Sequence, residues 1–321
     1  VEGETQSCLV IGGQGSGKTA ACILLVYQST KKIAERGITP VSPVYWRYQS
    51  NMPSIQQNLF DFATILARAL VGYLADQPDH FLHGSPARQN AIATLFAFSL
   101  DIEADFRLIC TNAHFQYNKN FGKMFAIIKE LQTKNDYRQI ITEGLTSTQL
   151  LDLYTKIFFT HSHSDQLTGC TILIDVQRSL PLPVLNSLLQ TITLLTKTGF
   201  VVKAFLPQPV PEISWFGKRY QICWHKLDLR ALLKVRLAGV KDDTWDTDGL
   251  VELAFLCQRD VDIETLEENI YNTGQFLPGP VLQIMKMLVE KYEAKKQRSD
   301  DDPRLSEKEI NEILSRFAAS A

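Results

Sequence analysis

The sequence predicts an α/β fold: a parallel sheet covered by helices on both faces, in three layers, followed by an all-helical C-terminal domain. Three observations carry this. Strand-like and helix-like segments alternate through the first part of the chain, the pattern of parallel strands joined by crossover helices. A glycine-rich run, Gly12-Gly13-Gln14-Gly15-Ser16-Gly17-Lys18-Thr19, stands between a short apolar strand and a helix and fits G-x-x-x-x-G-K-[ST] at every fixed position. After His225 every periodic segment reads as helix.

Taken in order, 7–11 (SCLVI) is a buried strand, and Ala20 to Ile33 is a helix ending near Glu35, Arg36 and Gly37. Val41 to Gln49 is rich in β-branched and aromatic residues and reads as a second strand. From Ile55 to Leu74 apolar residues recur at helical spacing behind Ser54, a good N-cap. Gln77 to Pro86 reads as a loop. Ala87 to Leu131 is helical with polar breaks, and Thr146 to Phe158 is a helix capped by Ser147. Cys170 to Asp175 is an apolar strand that ends on an acid. A helix over Val184 to Thr196, a strand over Phe200 to Leu206 and a last strand over Tyr220 to Trp224 follow. The tail holds helices at Leu227–Leu237, Asp248–Cys257, Ile263–Tyr271, Val281–Lys296 and Ser306–Phe317. Lys291 to Asp302 is a charged helix end and hinge. The expected domains are 1–225, with a helical insertion at about 77–160, and 226–321.

Composition narrows the function classes. The 321 residues can bury a sizeable core and divide into two domains. The net charge of −2 supplies no global basic field for nucleic acid, although Lys31, Lys32 and Arg36 form a local basic patch. The six cysteines are scattered without a C-x-x-C pair, so buried thiols in a reducing, cytoplasmic setting are expected rather than a disulfide framework or zinc site. No apolar run reads as long enough to span a membrane, and no signal peptide is visible. The chain opens without Met almost directly on a core strand, as expected of a piece of a longer protein.

The chemistry starts at the glycine-rich run. Glycines let the backbone wrap a phosphate with its N–H groups pointing inward, where a Cβ would intrude. Residues 12–19, with Ala20 behind them, are the expected nucleotide-binding set: Lys18 reaches the β/γ-phosphates and the Thr19 hydroxyl ligates Mg²⁺. Such a loop needs a second strand that delivers a carboxylate for the metal, and Asp175 closes the run Ile172-Leu173-Ile174-Asp175. Val176 follows, so no carboxylate stands next to Asp175 to polarise an attacking water. Gln177 can orient a water but is a poor base, which points to slow hydrolysis. Phe205-Leu206-Pro207 offers no polar sensor at the end of its strand, and Lys203 is expected to point to the other face or to snorkel. Arg219, Arg230 and Arg236 are candidate phosphate contacts or fingers toward a neighbouring subunit; the simpler reading of the last two is a solvated helix charge. Thr160-His161-Ser162-His163-Ser164-Asp165 is similar to the T-H-x-H-x-D run of metallo-β-lactamase-fold hydrolases. Gln166 stands where that family continues with His, so the stretch reads as a polar loop.

The glycine-rich loop, the Asp175 strand, the Phe200 strand and the helical tail together resemble the AAA+/STAND branch of P-loop ATPases, of the bacterial signalling type. Tyr220 to Leu237 is similar to the strand-to-helix junction that enters the lid in that group. Gly274 to Pro280 resembles the approach to a later lid helix, but without the arginine that relatives often carry there. The resemblance covers most of the chain, and only Gly12 to Thr19 is highly specific. It implies ATP and Mg²⁺ as ligands, ADP as product, nucleotide-driven closure, and a homo-oligomer or protein partner. Four functions stay open: a slowly hydrolysing switch or assembly ATPase, a scaffold that holds nucleotide with little hydrolysis, a DNA-associated regulator, and a small-molecule kinase.

Overall fold

The computed structural model describes residues 6–36, 43–100, 119–134, 144–159, 170–207, 210, 218–238, 253–298 and 302–320. The chain divides into two compact units, one of Val1–Ile11 and Thr19–Tyr220, the other of Gly12–Lys18 and Gln221–Ala321. The glycine-rich loop is therefore grouped with the C-terminal helices.

The first unit is built on a five-stranded sheet of β1 (Cys8–Ile11), β2 (Val44–Tyr48), β3 (Thr171–Val176), β4 (Val201–Leu206) and β5 (Lys218–Gln221), in the order β2-β3-β4-β1-β5. β2, β3, β4 and β1 pair in parallel. β4 thus separates the strand that leads into the loop from the strand that carries Asp175. The chain leaves β1 toward β2 on one side and leaves β4 toward β5 on the other, so β1 and β4 flank the topological switch point where open α/β sheets bind ligands.

The pleat sorts the strand residues into two faces. Val44, Trp46, Ile172, Ile174, Val202, Ala204 and Leu9 share one face and belong to one core with α2 (Ile55–Asp76) and α7 (Leu182–Thr198). Between α2 and β3 the described residues also hold α4 (Pro86–Ser99), α5 (Lys119–Lys134) and α6 (Ser147–Phe158). They enter the same core through Ile92, Phe96, Met124, Ile128, Tyr154 and Ile157. On the opposite face lie Tyr45 and Arg47 of β2, Leu173 and Asp175 of β3, Lys203 and Phe205 of β4, and Cys8 and Val10 of β1. α1 (Lys18–Arg36) supplies buried Cys22 close to Asp175 there. The result is a three-layer α/β fold of the P-loop NTPase type.

Several expectations need correction. Lys203 shares Asp175's face and is only 5% exposed, so it neither turns to the other face nor snorkels. The segment expected as a loop before Pro86 contains a short helix, α3 (Asp79–Leu82). α6 is capped by Thr146 rather than Ser147, because Thr146 and Gln149 form a reciprocal capping box. The last strand is Lys218–Gln221, displaced toward the N-terminus from 220–224. α2 is long and apolar enough by length and composition to cross a membrane, against the sequence expectation, but Leu59, Phe62, Leu66 and Leu70 on it are wholly buried in the core.

The second unit holds α8 (Lys226–Ala238), a 3-10 turn at Leu253–Leu256, α9 (Ile263–Thr273), α10 (Pro278–Gln297) and α11 (Glu307–Ser320). Where a helix over Asp248–Cys257 was expected, the 3-10 turn is what the described residues show, and 239–252 lie outside them. Leu229, Ile270, Tyr271, Val281, Ile284, Leu288 and Ile310 form a separate core.

Candidate functional site

In the helical unit, the glycine-rich loop is held by its carbonyls. Lys18 Nζ donates to Gly12 O at 2.7 Å and to Gly13 O at 2.8 Å, and the Ser16 N–H donates to Gly13 O at 3.1 Å. Trp224 Nε1 donates to Ser16 O at 2.9 Å, and the Gly279 N–H donates to Gly15 O at 2.9 Å. In a trans peptide the C=O and the following N–H point in opposite directions, so these bonds also set the directions of the amides of residues 13, 14, 16 and 17. Gly15 and Gly17 have φ of 79° and 86°, the left-handed region that favours glycine. Lys18 and Ser16 are buried, and Ser16 Oγ has no hydrogen-bond partner among the described residues. A buried hydroxyl left unpaired in this way is suited to an incoming acceptor such as a phosphate oxygen.

The loop meets the start of α10 at backbone distance. A Cβ on Gly15 would lie 2.7 Å from Pro280 Cδ, and one on Gly279 would lie 2.9 Å from Gly15 Cα. The turn from α9 into α10 places Gln275 and Phe276 at φ of 52° and 53°, unusual for residues with a Cβ. A cavity of about 670 Å³ opens beside this contact, lined by uncharged residues that include Gly13, Gln14, Gln275, Leu277 and Phe317. No arginine stands at the start of α10, as the sequence indicated.

In the sheet unit, Asp175 is wholly buried near the carboxyl end of β3. Thr19 Oγ1 donates to its Oδ1 at 3.1 Å, and Tyr45 Oη donates to its Oδ2 at 2.9 Å. Gln177 Nε2 lies 3.4 Å from the same Oδ2, and Arg47 donates to Gln177 Oε1 at 2.8 Å. The parallel register explains the cluster: Arg47 stands opposite Asp175, and Tyr45 stands opposite Leu173, on one face. Burial, then the hydrogen bond to Asp175, pushes the Tyr45 phenol up to about 12. Burial, then the charge of Asp175, pushes the Cys22 thiol up to about 12, so it stays a neutral thiol.

Of the residues singled out by sequence, Thr19, Asp175 and Gln177 come together in the sheet unit, while Gly12 to Lys18 gather around Gly279 and Trp224. Gln14 and Ala20 are exposed. Arg230 is engaged by Glu267, with its Nε donating to both carboxylate oxygens at 3.2 and 3.0 Å and one terminal nitrogen donating at 2.5 Å. Arg219 is exposed on β5. The side chains of Arg236, Lys31, Lys32 and Arg36 lie outside the described residues, as does all of Thr160 to Asp165. Tyr45 and Arg47 escaped the sequence reading because neither belongs to a motif. Their signal is the polar stripe on β2, which alternates with Val44, Trp46 and Tyr48.

The donors fit a small hard cation. The Thr19 proton is directed at Oδ1, which leaves the hydroxyl lone pairs available, and a carboxylate with a hydroxyl is an all-oxygen set. Mg²⁺ accepts few protein ligands and completes its shell with phosphate oxygens and water. Among the described residues no group of three or more His, Cys, Asp or Glu could hold a metal by itself.

The fold and these two clusters define a class, an α/β protein that carries a glycine-rich loop of the pattern G-x-x-x-x-G-K-[ST] and a buried strand acid held by hydroxyl donors. Among solved structures, that of C. elegans PCH-2 is similar at a TM-score of 0.38 and 13% sequence identity, over 98% of this chain and 59% of that one. The chain thus spans less than two thirds of that chain's length. No family model matches the chain. No curated protein matches it either.

Proposed function

We propose that this protein binds ATP with Mg²⁺ through residues 12–19 and Asp175, and that it is a slowly hydrolysing AAA+/STAND-like switch or assembly ATPase. The observation that carries the reading is the hydrogen bond from Thr19 to Asp175. It joins the last residue of the loop motif to the strand acid across 156 positions of chain. Lys18 would trade its two loop carbonyls for phosphate oxygens, and the Ser16 hydroxyl would gain the partner it lacks. Thr19 and Asp175 would hold Mg²⁺ or its water shell. The ion, when bound, supplies charge neutralisation at the phosphate oxygens. The tight approach of Gly15 to Gly279 supports a coupling between the state of the loop and α10. The C-terminal helices would then act as a lid, and the boundary near 225 would separate it from the nucleotide-binding domain.

A second reading, a scaffold that keeps nucleotide without turning it over, has an observation in its favour. Val176 follows Asp175, and the Gln177 amide is engaged at both ends, by Arg47 and Asp175. Gln177 would have to leave Arg47 before its oxygen could orient a water.

Nucleotide titration tests the shared part of both readings. Lys18→Ala removes a buried charge-assisted contact and should lower ATP affinity at least about tenfold. Asp175→Asn should weaken binding in Mg²⁺ while leaving binding in EDTA unchanged. Wild-type affinity in Lys18→Ala overturns the assignment.

A further inference from the structure

Asp175 offers its two oxygens unequally. Oδ1 faces the Thr19 hydroxyl, which shares a motif with the phosphate-binding residues. Oδ2 is capped by Tyr45 at 2.9 Å and approached by Gln177 at 3.4 Å. The stronger cap stands on a rigid support, because β2 is paired residue by residue with β3 from Val44 to Tyr48. The weaker one stands just past the end of β3 and is itself held by exposed Arg47.

We infer that Tyr45 is a specificity-determining residue for the divalent cation: by capping Oδ2 it limits Asp175 to single-oxygen ligation through Oδ1 and so favours Mg²⁺ over Ca²⁺. Mg²⁺ is satisfied octahedrally by one carboxylate oxygen with water and phosphate oxygens. Ca²⁺ takes six to eight oxygens and gains from a carboxylate that binds through both. With Tyr45 in place, two-oxygen ligation requires breaking the phenol hydrogen bond inside a buried site. Tyr45 acts through Asp175 and is a positioning residue. The inference rests on the reading that Thr19 and Asp175 serve a nucleotide-bound metal.

Tyr45→Phe removes one oxygen and keeps the ring. The probe is a fluorescent ATP analogue, titrated with the wild type and the variant in EDTA, in Mg²⁺ and in Ca²⁺, with thermal unfolding of each protein alongside. The variant should raise the ratio of Ca²⁺ to Mg²⁺ affinity about fivefold, the effect of losing one hydrogen bond. Binding in EDTA should stay at its wild-type value, while the unfolding temperature falls because the buried Oδ2 loses its better donor. A purely structural role would move both metals equally, and that result overturns the inference. A metal-dependent wild type with an unchanged ratio in Tyr45→Phe overturns the inference and leaves the nucleotide reading standing. Nucleotide binding by the wild type that is indifferent to either metal overturns both. Gln177→Ala removes the second donor to the same oxygen and should raise the ratio in the same direction by less. If Tyr45→Phe does not fold, an unchanged ratio in Gln177→Ala overturns the inference.

Discussion

At Gly15 a left-handed backbone angle and a close approach coincide. The G-x-x-x-x-G-K-[ST] pattern leaves this position open, yet φ of 79° and the 2.7 Å that a Cβ would have to Pro280 Cδ both demand glycine. Gly13 has neither constraint, since a Cβ there would meet only Leu277 at 3.6 Å, an ordinary contact. Gly15→Ala should therefore cost about 2 kcal/mol or more, combining an unfavourable φ with overpacking, while Gly13→Ala stays within about 1 kcal/mol of wild type. Urea unfolding of the two variants checks the difference. Equal stability of both would show that the loop and the start of α10 separate without cost. The glycine-rich loop between strand and helix was legible from residue types alone, because its pattern is local in sequence. The second role of Gly15 was not, because its partner Gly279 lies far along the chain.

Helix starts in this protein are strongly specified, and α11 gives a testable case. The Ser306 N–H and hydroxyl both donate to Glu309 Oε2, and the Glu309 N–H lies 3.4 Å from Ser306 Oγ in return. Lys295 at the end of α10 donates to the same carboxylate at 3.1 Å and to Arg304 O at 2.9 Å. Burial works to raise the Glu309 pKa, but these hydrogen bonds and the Lys295 charge outweigh it and hold the carboxyl below its usual range. Asp262, the N-cap of α9, is lowered by its bonds to Thr265 and the Glu264 amide. For an acid whose folded pKa lies below the unfolded one, the contribution to stability is complete above the unfolded value, about 4.3 for Glu, and is lost as pH falls through the folded value. The wild type should thus lose more stability than Glu309→Gln between about pH 6 and about pH 3. Thermal unfolding across that range is the measurement, and parallel curves would remove Glu309 from the account. Caps were partly legible in sequence. Ser54 was read correctly, but at α6 two adjacent hydroxyl residues, Thr146 and Ser147, could not be told apart until Gln149 was seen to answer Thr146.

For the whole molecule, the proposed ATPase lacks two parts of a fast catalyst. Val176, not a carboxylate, follows Asp175, and no arginine starts α10, so two groups that would support charge on a transferring phosphoryl group are missing from these positions. Arg230 is committed to Glu267 and would have to leave it to serve a neighbour. An isolated subunit should turn over below about 1 s⁻¹, under the usual enzyme range. The rate per subunit should rise with protein concentration if a neighbouring copy supplies an arginine in trans. An ATPase series over a wide concentration range decides this, and fast turnover independent of concentration would mean that an acid within residues 77–160 acts as the base.

The alternation of strands and helices, the glycine-rich loop and the Asp175 strand were determined by the sequence itself. Each depends on residue type and spacing over a short stretch, where backbone sterics and burial leave few choices. Tertiary structure decided the rest. It set the order β2-β3-β4-β1-β5, which follows from how strands far apart in sequence pair. It placed Lys203 on the face of Asp175, since one residue of register moves a side chain to the other side of a sheet. It brought Tyr45 and Arg47 to the acid through the register of β2 on β3. It also seated the loop against Gly279. These contacts join positions that share no local pattern, so no short-range rule could have found them.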